Sequence, residues 1–330
     1  VTGWEPDVLP GYWQQPLALG PDPDGEGELV ATLVARGRPQ PRPDRAVLVV
    51  HGYTDYFFHT ELADHFAERG FACYALDLPK CGRSRRDGQT PHFTSNLAHY
   101  DAALQSALDV VDAHEVLIYG HSAGGLIVSL WLDRLRRRGA TGPVTGLVLN
   151  SPFLDLHGPA ILRTPPTSAA LIALARVRKM TVIRKPTPGG YGTTLHRDFT
   201  GEFDYNLDWK PVGGFPVTFG WINAIRRGQK QLHRGLDVGV PSLILRSDRS
   251  VAEAGDPDLI HRGDAVLDVT QIARWAGCIG NRLTVVPVTD AKHDVFLSLP
   301  EPRAAAYREL DIWLDGYRRT GTSSTTPHSG

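Results

Sequence analysis

With 330 residues, 42% of them hydrophobic, the chain can bury a full core; it is long for one simple domain and short for two, so one domain carrying an insertion fits best. Its 35 basic residues nearly balance 36 acidic ones, a formal charge of -1, which excludes a global field able to hold nucleic acid by counterion release. Three scattered cysteines, Cys73, Cys81 and Cys278, have neither zinc spacing nor a disulfide framework and point to a reducing cytoplasm. No basic start with an apolar core over Val1 to Pro10, and no apolar run of about eighteen residues, speaks for a secretion signal or a membrane span.

Pro16 to Leu19 and Leu29 to Val34 are short apolar runs separated by an acidic, turn-rich segment, which predicts an antiparallel pair. Asp22, Asp24 and Glu26 alternate like calcium ligands, but Leu33 stands where such a loop needs its closing glutamate, so a hairpin turn is the better reading. Beyond a Pro-rich linker, Ala46 to Val50 reads as a strand buried on both faces, running into His51-Gly52-Tyr53. The spacing then predicts a helix over Glu61 to Arg69, a strand over Phe71 to Leu76, a helix over Ser95 to Ala113, a strand over Val116 to Tyr119, a helix over Ala123 to Arg138 and a strand over Val144 to Leu149. Such alternation builds an α/β fold with a mainly parallel central sheet flanked by helices.

The alternation stops after residue 154. Residues 155–239 carry helical stretches, Ala169 to Ile183 and Trp221 to Leu232, around a Gly-, Pro- and aromatic-rich excursion, and read as an inserted helical cap between core segments 1–154 and 240–318. The core resumes with a strand at Ser242 to Leu245, a helix at Val269 to Ala276, a strand at Leu283 to Val288 and a helix at Pro302 to Arg318; the Ser- and Thr-rich end, residues 319–330, reads as a disordered tail.

The chemistry centres on Gly120-His121-Ser122-Ala123-Gly124. A buried strand precedes it and a helix follows, so Ser122 sits on a sharp turn where Gly120 and Gly124 avoid collisions, with the helix N-terminus favouring an anion beside it. A serine needs a base and a group to orient that base. In a parallel sheet these come from loops after strand ends, which selects His293, late in the chain, as general base and Asp248, just past Leu245, as the acid. Asp256, Asp264 and Asp268 lie in the same long connection, Asp268 as an N-cap. The backbone amides of Tyr53 and Ala123 are the expected oxyanion donors, with His51-Gly52 making the tight turn; the Tyr53 phenol is alternatively a pocket wall. His121 is locked in the turn, pointing away, and His59 and His65 are too poorly spaced for a metal pair, so no metal or cofactor is expected.

His51-Gly52 after a strand, the Gly-His-Ser-Ala-Gly pentapeptide, a helical insertion before Pro241 to Leu245, Ser247-Asp248, and His293 before a last helix resemble the α/β-hydrolase superfamily, in particular its monoacylglycerol lipase, lysophospholipase and serine aminopeptidase-like branch. The resemblance spans about Ala46 to Tyr317 and implies Ser122, Asp248 and His293 as a catalytic triad, with Tyr53 and Ala123 as oxyanion donors. Relatives usually carry Gly-His where this chain has Lys80-Cys81, and the connection after Asp248 is long.

The expected activity is hydrolysis of carboxylic esters of moderately hydrophobic, lipid-like substrates through an acyl-enzyme. A thioesterase, peptidase or acyltransferase on the same triad, or a non-catalytic ligand receptor on the same scaffold, are the alternatives. Between Leu156 and Arg197 there is no acidic residue, while Arg163, Arg176, Arg178, Lys179, Arg184, Lys185 and Arg197 are basic; this is either the solvated face of a packed cap helix or a contact with an anionic membrane surface.

Overall fold

A computed structural model of the chain describes residues 3–156, 178–186, 189–253 and 256–321. Strands β1 (Glu5–Pro6), β2 (Tyr12–Pro21), β3 (Glu28–Arg36), β4 (Arg45–Val50), β5 (Ala72–Asp77), β6 (Glu115–His121) and β7 (Val144–Asn150) precede a two-stranded pair, β8 (Val182–Arg184) and β9 (Val217–Thr218), and then come β10 (Ser242–Ser247) and β11 (Leu283–Val288). Nine of them form one sheet in the order β1-β2-β3-β5-β4-β6-β7-β10-β11. The first strands pair antiparallel up to β5, and every pairing from β5 through β4 to β11 is parallel.

The apolar runs follow from burial on both faces. In β4, Ala46, Leu48 and Val50 pack on one side and Val47 and Val49 on the other; in β6, Val116 and Ile118 part in the same way from Leu117 and Tyr119. A period of two sends alternate side chains to opposite layers, so a strand covered on both sides has no polar face to show. One layer is made by α2 (Asp101–Val111), α3 (Ala123–Arg137), α4 (Phe219–Leu232) and α5 (Val269–Trp275), the other by α1 (Thr60–Glu68) and α6 (Pro300–Gly321). Among the described residues no helix is long and apolar enough to cross a membrane.

Local departures from the sequence reading have local causes. The helix expected from Ser95 begins instead as a 3-10 turn, Leu97–Tyr100, with the Asn96 side chain accepting from the Ala98 amide. Of the helix expected over Ala169 to Ile183, residues 169–177 lie outside the described residues; the remainder is a turn and then β8, because β-branched Val182 and Ile183 sit in an antiparallel pair with β9. The acidic turn between β2 and β3 binds an ammonium: Lys80 Nζ lies 2.6 Å from Asp22 and 2.7 Å from Glu26, and Lys80 and Asp22 are buried. Lys80, one of the departures from the related pattern, thereby pins the loop after β5 to the hairpin; its neighbour Cys81 rests its thiol 3.2 Å from His92 Nδ1.

Candidate active site

Ser122 is the residue between β6 and α3, with φ 52° and ψ -120°. A left-handed φ is costly for a side chain that is not glycine, and the neighbours show how the turn is held there. A Cβ on Gly124 would stand 2.3 Å from the His51 carbonyl oxygen, one on Gly120 2.8 Å from Gly125 Cα, and one on Gly52 2.9 Å from Ser122 Cβ. The expectation that flanking side chains would collide therefore holds, with the loop after β4 as the principal obstacle. Gly124→Ala is expected to cost about 2–3 kcal/mol through overpacking against backbone that cannot yield, and to slow reactions at Ser122. Gly316→Ala, in α6 with nothing within 4 Å, serves as the control and is expected to be neutral or mildly stabilising. Thermal melts of the two variants check both.

His51 fixes the loop that abuts the serine. Its Nε2 accepts the Leu78 amide at 3.0 Å, so the proton sits on Nδ1, which donates to the Gly52 carbonyl at 2.8 Å. Tyr53 follows. Its phenol donates to the Pro216 carbonyl at 2.6 Å and its ring lies 3.9 Å, centroid to centroid, from Trp221, so the side chain is a wall of the cavity beside Ser122 and a tie to the excursion after β7. The amides of Tyr53 and Ala123 have no acceptor among the described residues.

His293 lies after β11 and is buried, its ring centroid 5.0 Å from that of His121. Its Nδ1 is 2.9 Å from Asp264 Oδ2. A carboxylate only accepts, so Nδ1 carries a proton; Nε2 has no hydrogen-bond partner among the described residues, and both His293 and Ser122 line one cavity of about 330 Å³.

The acid facing His293 is thus Asp264, and the choice of Asp248 is corrected. Asp248 is partly exposed, its carboxylate pairs with Arg249 at 2.9 Å, and its Oδ1 accepts the Asp290 amide at 3.1 Å. The strand runs two residues further than its apolar part, to Ser247, and the chain then makes a wide detour that returns Asp264 beside Ser250. There Asp264 N donates to Arg249 O and Asp264 O accepts from Val251 N, both at 2.9 Å, while Oδ1 accepts the Val266 and Leu267 amides at 2.8 Å. Asp264 is fully buried. Asp256 and Asp268 are N-caps, accepting from Asp258 and Thr270.

Two features of the site escaped the sequence reading. Lys210 reaches from the excursion after β7 to Asp55, Nζ to Oδ1 2.7 Å, and lines the cavity. His121 does not merely point away: its Nδ1 is 3.3 Å from Asp55 and its Nε2 3.9 Å from Asp294. Asp55 and Asp294 stand within two residues of Tyr53 and His293, yet nothing in their local sequence shows that they converge.

Serine, acid and histidine in that order along the chain, each on a loop leaving the carboxyl end of the parallel strands, is the arrangement of the α/β-hydrolase fold. The chain belongs to the family described as serine aminopeptidase, S33, whose model matches residues 41–264, more than half of its length. Solved structures agree on the fold: a monoglyceride lipase from Saccharomyces cerevisiae superposes with a TM-score of 0.63 at 16% identity, covering 92% of this chain and 96% of that one. A monoacylglycerol lipase from Paleococcus ferrophilus gives 0.60 at 18% identity, over 88% and 99% of the two chains. A stretch of 120 residues is 28% identical to phospholipase YtpA of Bacillus subtilis (strain 168), covering 35% of this chain and 43% of that protein, so the match spans less than half the length of this curated relative.

Proposed function

We propose that the chain is a cofactor-independent serine hydrolase that cleaves carboxylic esters of moderately hydrophobic, lipid-like substrates through an acyl-enzyme. The observation that carries this reading is the shared cavity: it holds the strained Ser122 and a histidine whose outer nitrogen rests on a buried carboxylate. In this scheme Ser122 Oγ attacks the ester carbonyl and gives its proton to His293 Nε2, while Asp264 holds Nδ1–H and stabilises the imidazolium. The Tyr53 and Ala123 amides, at the positive end of α3, receive the oxyanion, at roughly 3 kcal/mol per donor. His293 returns the proton to the leaving alcohol, then draws one from water, which releases the acid.

Apolar walls from Phe153, Leu195, Phe215, Trp221 and Leu267 suit an acyl chain, and the names of the relatives, monoglyceride lipase and phospholipase, suggest monoacylglycerols or lysophospholipids. Residues 155–239 would act as the cap over this cavity. The three cysteines, all free, fit a cytoplasmic setting. Exposed Met180, Val182 and Ile183 beside Arg178, Arg184 and Lys185 support contact with an anionic lipid surface, although Lys179 pairs with Asp24 and Arg184 with Glu253, which lowers the charge available.

The test is a panel of acyl esters, monoacylglycerols, lysophospholipids, thioesters and aminoacyl amides, with and without anionic vesicles. Turnover of esters well above amides and thioesters is expected, with long-chain rates raised by vesicles. Amide or thioester preference would move the reading to a peptidase or thioesterase, and silence on the whole panel together with no labelling by a fluorophosphonate would favour a receptor.

A further inference from the structure

The three loops that meet at Ser122 each contribute a second charged or polar group, one or two residues from the reacting one, and these converge behind the serine turn. Asp55 stands two residues after Tyr53, His121 immediately before Ser122 and Asp294 immediately after His293. His121 Nδ1 lies 3.3 Å from Asp55 Oδ2, and its Nε2 lies 3.9 Å from Asp294 Oδ2. Asp55 also holds Lys210 Nζ at 2.7 Å. Asp294 Oδ1 accepts from Asn150 Nδ2 at 2.6 Å and caps the Phe296 amide at 3.0 Å, and the Asn150 carbonyl accepts the Ser122 amide at 3.0 Å, which closes the ring. His121, Asp55, Asp294, Lys210 and Asn150 are all buried.

We propose that His121 is a positioning residue: as an imidazolium between Asp55 and Asp294 it holds the oxyanion loop and the His293 loop in register with Ser122. The proposal rests on the serine hydrolase reading for its kinetic consequence. Electroneutrality argues for it. Two buried carboxylates face one lysine, so a neutral His121 would leave a buried negative charge unpaired, which is less favourable than a balanced cluster. Burial pushes the His121 proton off, but Asp294 and Asp55 outweigh it and raise its affinity above that of a free imidazole; Lys210 acts weakly the other way. Against their own burial, Lys210 and His121 hold the Asp55 carboxyl well below the usual carboxylate range, and His121, His59 and the Asn150 amide lower that of Asp294. His59, which burial keeps neutral at ordinary pH, and the His293 ring also face the group. With both carboxylates beside it the imidazolium is favoured and its proton is lost as the pH climbs past the raised value, so activity falls on the alkaline side.

The test compares wild type, His121→Gln, Asp294→Asn and Ser122→Ala. Fluorophosphonate labelling and ester turnover are followed against pH, and histidine ¹⁵N spectra are recorded, the His121 signals being those that His121→Gln removes. Two protonated ring nitrogens at pH 7 are expected for His121. With Asp294→Asn the alkaline fall in rate moves to lower pH by about one unit. With His121→Gln, kcat drops about 10- to 100-fold with KM within about twofold, and the alkaline limb disappears while the acid limb stays. A neutral His121 at pH 7 overturns the proposal, as does a His121→Gln rate and pH profile equal to wild type while Ser122→Ala is inert. Ser122→Ala activity equal to wild type instead overturns the hydrolase reading and leaves the ¹⁵N result to decide the charge of His121. Should His121→Gln fail to fold, Asp294→Asn and the wild-type spectra carry the decision.

Discussion

Replacing Ser122 with alanine is expected to lower ester hydrolysis by about 10⁴- to 10⁶-fold with the fold unchanged. The size follows from what the proposed mechanism loses: without Oγ no acyl-enzyme can form, and only the amides of Tyr53 and Ala123 and the cavity walls remain to act on the substrate. The fold is expected to survive because the Ser122 side chain makes no capping hydrogen bond to α3, and alanine meets the same φ of 52° that serine already bears. Circular dichroism and a thermal melt alongside the rate separate lost chemistry from lost structure. A residual rate within about tenfold of wild type would mean that the hydroxyl is not the nucleophile.

The second large effect separates two aspartates. Asp264→Asn is expected to reduce the rate about 10³- to 10⁴-fold. Asparagine can keep its carbonyl oxygen on the Val266 and Leu267 amides, which Asp264 Oδ1 now accepts, so the loop is retained. That leaves an amide NH₂ facing His293 Nδ1, which favours the tautomer protonated on Nε2, the nitrogen that takes the serine proton in the proposed mechanism. Asp248→Asn, by contrast, loosens a partly exposed pairing with Arg249 and is expected to change the rate by no more than about threefold. Rates measured with one ester under the same conditions decide between them, and the reverse ranking would restore Asp248.

The error over Asp248 shows where local reading stops. Burial on both faces makes β4, β6 and β10 legible as unbroken apolar runs, and the serine turn is legible because its glycines answer a local steric demand. His293 follows from strand-end position. The acid does not: Asp248 and Asp264 both follow β10, and what distinguishes them is a non-local contact, the bridge that brings Asp264 back beside Ser250 and leaves Asp248 against Arg249 at the rim. A weak signal was present in Gly263-Asp264 before the apolar run Ala265-Val266-Leu267. Gly263 leaves no room for a side chain, since its Cβ would stand 2.5 Å from Val251, and the Asp264 carboxylate accepts from the two amides that follow. The cluster of Asp55, His121, Asp294 and Lys210 is invisible for the same reason, being assembled from the end of β6 and three loops that only the fold brings together. The acidic turn was read correctly as a hairpin, yet its partner, Lys80, lies more than fifty residues on and could not be named from the turn itself.

Incubating the protein with an activated long-chain ester, quenching in acid and mapping the acyl group by peptide mass spectrometry tests the central claim most directly. The account predicts one acyl group, on Ser122, formed in a burst, absent from Ser122→Ala and formed far more slowly by His293→Ala. An acyl group on any other residue, or turnover by folded protein with none trapped on Ser122, would contradict it.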